Sequence, residues 1–227
     1  MTDSYLTREQ RSSKHVLVIV ILSLFFIGCG SSDSSTSTDS SDLDVPLSLP
    51  DLTGTGNSDD FFDPRRIVAV DVQMSAADFT ILRAEGRSLA SATSECFEDY
   101  AYTEFVASVR IDGVVVLNVE IRKKGFLGSI SRIRPSLKLD FDTFVDDRTY
   151  NEMSRMTLNN DRQDPSHTHQ CMAYDMFRKA GLAAPRCNLA SVTVNGEELG
   201  VYTNVENIKK PFLKRNFGDK GGNLYEA

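Results

Sequence analysis

Two dipeptides constrain this chain more than any other feature. Asp112-Gly113 separates the apolar run 104–111 from 114–122, and Asn195-Gly196 separates 189–194 from 199–206. A two-residue loop of this kind needs positive φ at both positions, which Asp, Asn and Gly tolerate, and its twist matches antiparallel strands. Two β-hairpins are therefore fixed before anything else is considered.

Other elements fall into place around them. The stretch 67–74 (IVAVDVQM) alternates and is β-branched, so it reads as a strand. Ser75 caps a helix over 76–85 that Gly86 stops. Leu137, Leu139 and Phe141 point one way and Ser136, Lys138 and Asp140 the other, which predicts a strand with one buried face. A short apolar stretch follows at 156–159. Asp164 and Pro165 then open a helix whose apolar stripe is Met172, Met176, Phe177 and Ala180, ended by Gly181 and Pro185. A short helix closes the series at 208–217. The order β-α-β-β-β-α-β-β-α predicts an α+β fold, an antiparallel sheet with one long helix packed against it.

Residues 1–64 are expected to stand outside that fold. Arg8, Arg11, Lys14 and His15 precede an apolar run, 16–27, that is shorter than the roughly 20 residues a bilayer core requires, so 1–29 reads as a signal peptide. Its ending Phe26-Ile27-Gly28-Cys29 is similar to a bacterial lipobox, which makes Cys29 the expected lipidation site and the cell envelope the expected location, with the membrane reached through that lipid; ordinary cleavage nearby is the alternative. Residues 30–64 are rich in Ser, Thr, Asp and Gly and predict a disordered tether, leaving 65–227 as the folded domain. Charge follows the same division. Three of the 25 basic and ten of the 32 acidic residues precede Arg65, so the remainder balances at 22 of each. No global field recruits nucleic acid. Besides Cys29, the chain has Cys96, Cys171 and Cys187. Export would place them where disulfides persist, but only one pair can form; Cys171 with Cys187 is the expected pair and buried free thiols are the alternative.

The lysine strand, then MTLNNDRQDPSHTHQCMAYDMFRKAGLAAP, then VTVNGEELGVYTNVENIKKPFLKRNFGDKGGNLYEA, resemble the spore coat protein H (CotH) kinase family. The resemblance runs from about Ile67 to the last residue; its most specific pieces are Asn195-Gly196-Glu197, Gly200-Val201-Tyr202, Glu206 and Asn223-Leu224-Tyr225. It implies an atypical kinase fold with a sheet-rich N-terminal lobe. It also implies binding of ATP with Mg or Mn, and phosphorylation of serines on coat proteins. Surface adhesins also occur among the family's eukaryotic relatives.

On that basis the segment RKKGFLGSISRIRPSLK becomes a candidate phosphate site. A loop between strands can offer backbone N–H groups while a lysine on the next strand meets phosphate oxygens. Gly125 and Gly128 permit close backbone approach, Ser129 supplies a hydroxyl, and Lys138 is the candidate cation. Glu206 is the candidate acid at the nucleotide. The chain departs from the family pattern at Phe126-Leu127, where Asn-Ser is usual, and at His169-Gln170, where Arg-Glu is usual. His167 and His169 are spaced i,i+2, which points their rings to different helix faces and argues against a metal pair. Asp140 and Asp142 share a strand face but are not counted as metal ligands.

The family's catalytic carboxylates come from a segment with a Trp-Asp-x-Asp type motif, and this chain contains no Trp. The expectation is therefore a nucleotide-binding portion of a protein serine kinase, acting on a protein substrate, without its C-terminal lobe. The alternative is a non-catalytic surface lipoprotein serving as adhesin, scaffold or coat component.

Overall fold

The structure is a computed structural model and describes residues 56–87, 101–126, 128–219, 221 and 224–225. The signal peptide, Cys29, most of the tether and Cys96 lie outside the described residues. The elements are α1 (Ser58–Phe61), β1 (Ile67–Gln73), α2 (Ala76–Ala84), β2 (Glu104–Ile111), β3 (Val114–Lys124), β4 (Ser136–Asp140), β5 (Arg155–Asn159), α3 (His169–Lys179), β6 (Cys187–Val194), β7 (Glu197–Val205) and α4 (Lys210–Phe217).

Both hairpins form as the dipeptides require, with φ of 48° and 88° at Asp112-Gly113 and 51° and 82° at Asn195-Gly196. Each turn residue then does a second job. Asp112 Oδ1 accepts from the Ala69 N–H at 2.9 Å, and Asn195 Oδ1 accepts from the Met74 N–H at 2.9 Å. The two turns therefore latch onto β1, which lies between β2 and β6.

Seven strands close into a barrel in the order β1-β2-β3-β4-β5-β7-β6. All neighbours are antiparallel except β1 and β6, which run parallel with Val70 opposite Val192. This corrects the expected α+β class and kinase-like N-terminal lobe. The short stretch at 156–159 is a full strand, β5, and it bridges β4 to β7. The parallel β1–β6 pairing joins segments far apart in the chain and leaves no local periodic mark. The helix expected to pack on the sheet also behaves differently. It begins at His169 rather than near Asp164, and none of its residues is buried. Met172 and Met176 are 56% and 64% exposed.

The reason lies inside the barrel. A small closed barrel fills its interior with its own alternate side chains, so no sheet face is left that needs a helix. Val68, Val70, Val72, Val109, Ile111, Val119, Ile121, Leu137, Leu139, Leu158 and Val192 form that interior. By strand register, one mouth is covered by α1, where Phe61 meets Tyr150 edge-on at 5.8 Å, and the other by Phe79 and Leu82 of α2. At the α2 mouth the inward series Val119, Ile121 continues to Lys123, which is fully buried. Its ammonium donates to the carbonyls of Arg83, at 2.9 Å, and Glu85, at the C-terminal end of α2. Burial lowers its pKa. A cation favours the negative end of a helix dipole, so this lysine closes the barrel rather than serving a ligand.

Candidate anion-binding site

Alternation that sends Ile121 and Lys123 inward sends Glu120, Arg122 and Lys124 outward. Register places Glu120 opposite Asp140, Arg122 opposite Lys138 and Lys124 opposite Ser136. On the next strand Arg155 and Thr157 lie opposite Asp140 and Lys138. The outer face of β3, β4 and β5 is thus a polar patch with Lys138 at its centre.

The charges on this face are unevenly compensated. Arg122 pairs with Glu104 at 2.6 Å and lies 3.5 Å from Glu120, and Arg155 pairs with Asp140. Lys138 and Lys209 form no ion pair among the described residues, and Lys124 has only a neutral partner, Asn159 Oδ1 at 2.6 Å. Lys138 is partly buried, and its pKa is lowered first by burial and then by Arg122, Arg155 and Lys209. Lys124 is lowered to about 8 by burial and by Lys138. Two amines are therefore held where losing charge is favoured, which is the electrostatic state an anionic ligand relieves.

Lys124 also lines a cleft of about 540 Å³ with Gly125, Ser129, Ser136, Asn160, Asp164 and Gln170. A side-chain chain runs along one wall: Lys124 donates to Asn159, Asn159 Nδ2 donates to Gln170 Oε1 at 2.8 Å, and Gln170 Nε2 donates to Tyr174 at 3.2 Å. Gln170 thus serves Lys124 through Asn159. Neither Lys124 nor Asn159 is among the site residues expected from the sequence. Carrying the β3 alternation two residues past Arg122 would have found the lysine.

The other candidates separate. Gly125 adopts φ 115°, and a Cβ there would sit 2.5 Å from Ser129 Oγ. Ser129 Oγ itself accepts from the Phe126 N–H at 3.0 Å and donates to the Phe126 carbonyl at 2.7 Å, so its hydroxyl is engaged within the loop. A Cβ on Gly128 would collide with Gln163 Nε2 at 2.0 Å, so this glycine makes room for that side chain. Glu206 is buried and accepts from the Arg186 N–H at 2.9 Å, Arg186 Nη2 at 2.6 Å and Arg215 Nη2 at 2.5 Å. Its oxygens are taken by this network, and Lys138 makes no hydrogen bond with it.

Asp142 is pushed up to about 6, first by its hydrogen bond with Asp140 and then by burial. His169 Nδ1 lies 2.7 Å from Asp164, while His167 Nδ1 lies 2.8 Å from Asp161. The two rings therefore have different carboxylate partners. Among the described residues no three metal-capable side chains cluster.

Cys171 and Cys187 form a disulfide with a Cα separation of 5.2 Å. It ties α3, none of whose residues is fully buried, to the start of β6. For two cysteines separated by 16 residues, the bond contributes about 3 kcal/mol through loop closure. Cys171→Ser is expected to lose about that much stability in urea unfolding, and dithiothreitol should bring the unaltered protein to the same value.

A closed barrel thus carries an under-compensated cationic face with an adjoining cleft, the candidate site for an anion. Residues 121–227, from within β3 onward, match the family described as CotH kinase protein. The elements before residue 121 precede that match, although the sequence resemblance was read from Ile67. The chain is 36% identical over 63 residues to an inner spore coat protein H-like protein of Bacillus subtilis (strain 168), covering 28% of this chain and 20% of the relative. It is 29% identical over 105 residues to inner spore coat protein H of the same organism, covering 45% of this chain and 28% of the relative. Each match covers less than a third of the curated relative's length.

Proposed function

We propose that this chain supplies the nucleotide-phosphate-binding part of a CotH-type protein serine kinase. The observation that carries the reading is the pair of under-compensated amines, Lys124 and Lys138, on neighbouring strands beside a cleft wide enough for a ligand. The phosphates of ATP fit that face: Lys138 and Lys124 would meet phosphate oxygens, with Lys209 adding field from the β7–α4 corner. The described residues offer no metal cluster, so Mg or Mn belongs to the proposal only as the companion of the phosphates. When bound, that ion would neutralise part of the phosphate charge.

An exported, coat- or envelope-associated protein held by a lipid on Cys29 is part of the same proposal. The relatives' names as spore coat proteins and a disulfide, a bond that persists in oxidising compartments, support it. Among the described residues no helix is long and apolar enough to cross a membrane. A second reading, a non-catalytic surface protein that docks a partner, draws on one observation: Met172, Met176, Phe177 and Leu182 are all at least half exposed on and just after α3.

The pH dependence of ATP binding separates the two. Lys124 is charged below about 8 and neutral above it, so calorimetric affinity for Mg-ATP should be steady near pH 7 and fall as pH rises through about 8. Stability should move the opposite way. The folded pKa lies below the unfolded value, so the unfolded chain binds more protons between about 8 and about 10.4 and the fold gains stability as pH rises across that window. Absence of saturable ATP binding at pH 7 would favour the partner-docking reading.

A further inference from the structure

A second cleft, of about 330 Å³, shares Asn160, Asp161 and Arg162 with the first and adds Arg134 and His167, while Lys124 lines only the first. Arg134 and Arg162 both line it, and neither forms an ion pair with a carboxylate among the described residues. Arg134 Nη2 donates to the Val201 carbonyl at 2.5 Å, and its guanidinium lies 5.3 Å from the centre of the Tyr202 ring. Arg162 Nη1 donates to the Ile130 carbonyl. Each guanidinium carries five N–H donors, so carbonyl bonds of this kind fix the planes and leave donors over.

The one carboxylate in the cleft is already committed. Asp161 Oδ2 accepts from the Thr203 hydroxyl at 2.7 Å and meets His167 Nδ1 at 2.8 Å. That contact orients the imidazole and leaves its Nε2 without a hydrogen bond among the described residues. Asp161 and His167 both hold positive φ, 49° and 56°, at the two ends of a turn closed by the Asp164 N–H on the Asp161 carbonyl and the His167 N–H on the Asp164 carbonyl. Ser131 adds a hydroxyl to the lining.

We infer that this cleft binds a phosphomonoester group, gripped by Arg134 and Arg162 with His167 and Ser131 as further polar contacts. Paired guanidiniums match the oxygens of such a group through forked, charge-assisted hydrogen bonds. The group can belong to a phosphorylated hydroxyl side chain of a protein or to free phosphate. The inference does not require the β3–β4 face to hold a nucleotide.

Titrating the full chain with a short phosphoserine peptide, its unphosphorylated counterpart and inorganic phosphate tests it. Saturable binding of the phosphorylated peptide is expected, with none for its counterpart. Arg162→Ala should weaken it at least about tenfold, the loss of one charge-assisted bond. Arg134→Lys, which keeps the charge beneath the loop but loses the fork, should weaken it in a protein whose melting is unchanged. Lys138→Met should leave it intact. Tighter binding of the peptide than of phosphate assigns a protein ligand, and equal binding assigns the free anion; both present the anionic phosphoryl oxygens that the guanidiniums meet. Failure of all probes to bind, or loss of binding in Lys138→Met as large as in Arg162→Ala, overturns it.

Discussion

Glu206→Ala should destabilise the barrel by about 3–5 kcal/mol, the cost of breaking a buried ion pair by removing one partner. Burial alone would raise the Glu206 pKa, yet the hydrogen bonds from Arg186 and then Arg215 hold it below its ordinary value. Removing the carboxylate strands two guanidiniums and the Arg186 amide. Arg186 also reaches Asp59 at 2.5 Å beside α1, so the loss should spread towards the mouth that α1 covers. Linkage sets the pH window. A carboxyl depressed in the folded state contributes fully above the unfolded value of about 4.3 and loses that contribution as pH falls through the folded value. Urea unfolding of both proteins should show the full difference at pH 7 and a shrinking one below pH 4. An equal difference at all pH values would mean that packing, not charge, is what Glu206 supplies.

The second large effect concerns the ligand. Lys138→Met keeps the side chain's apolar length but removes its ammonium, so one charge-assisted contact with a phosphate should be lost. That is about 1.5–3 kcal/mol, or about 10- to 150-fold in affinity for Mg-ATP. Because charge repulsion from Lys138 helps to lower Lys124, the variant should also raise the Lys124 pKa, moving the fall in any residual binding to higher pH. Stability should not suffer, since Lys138 makes no ion pair among the described residues and its charge is held at a desolvation cost. A Lys138→Met protein that binds Mg-ATP as tightly as the unaltered one removes this lysine from the site.

The hairpins were readable because their signal is local: Asp112-Gly113 and Asn195-Gly196 have few other conformations that suit them. The inward face of β4 was readable for the same reason, and Leu137, Leu139 and Phe141 are all fully buried. Closure of the barrel was not. It depends on β1 lying parallel to β6, and on side chains of two turn residues catching the backbone of a strand distant in sequence. Helix α3 misled because Met172, Met176 and Phe177 have the spacing of a core stripe although they face outward, and periodicity records the stripe without recording what covers it.

The candidate site was partly readable. Lys138 was found on the outward face of its strand, as alternation demands. Lys124 is missing from the expected site because two adjacent lysines look alike in sequence until the inward series of β3 is carried to Lys123, which enters the barrel mouth and leaves Lys124 to the cleft. The glycines and Ser129 were chosen for a phosphate cradle, whereas Gly128 makes room for Gln163 and Ser129 closes its own loop. Those contacts come from segments that no spacing rule connects.

Lysine footprinting asks whether ATP lies against Lys124 and Lys138. The full chain is treated with a small acetylating reagent with and without saturating Mg-ATP, and modification of each lysine is read by peptide mass spectrometry. ATP is expected to protect Lys124 and Lys138 while leaving Lys210 and Lys214 on α4 as reactive as before. Protection confined to the α4 lysines, or unchanged reactivity of Lys124 and Lys138 at saturating nucleotide, would contradict it.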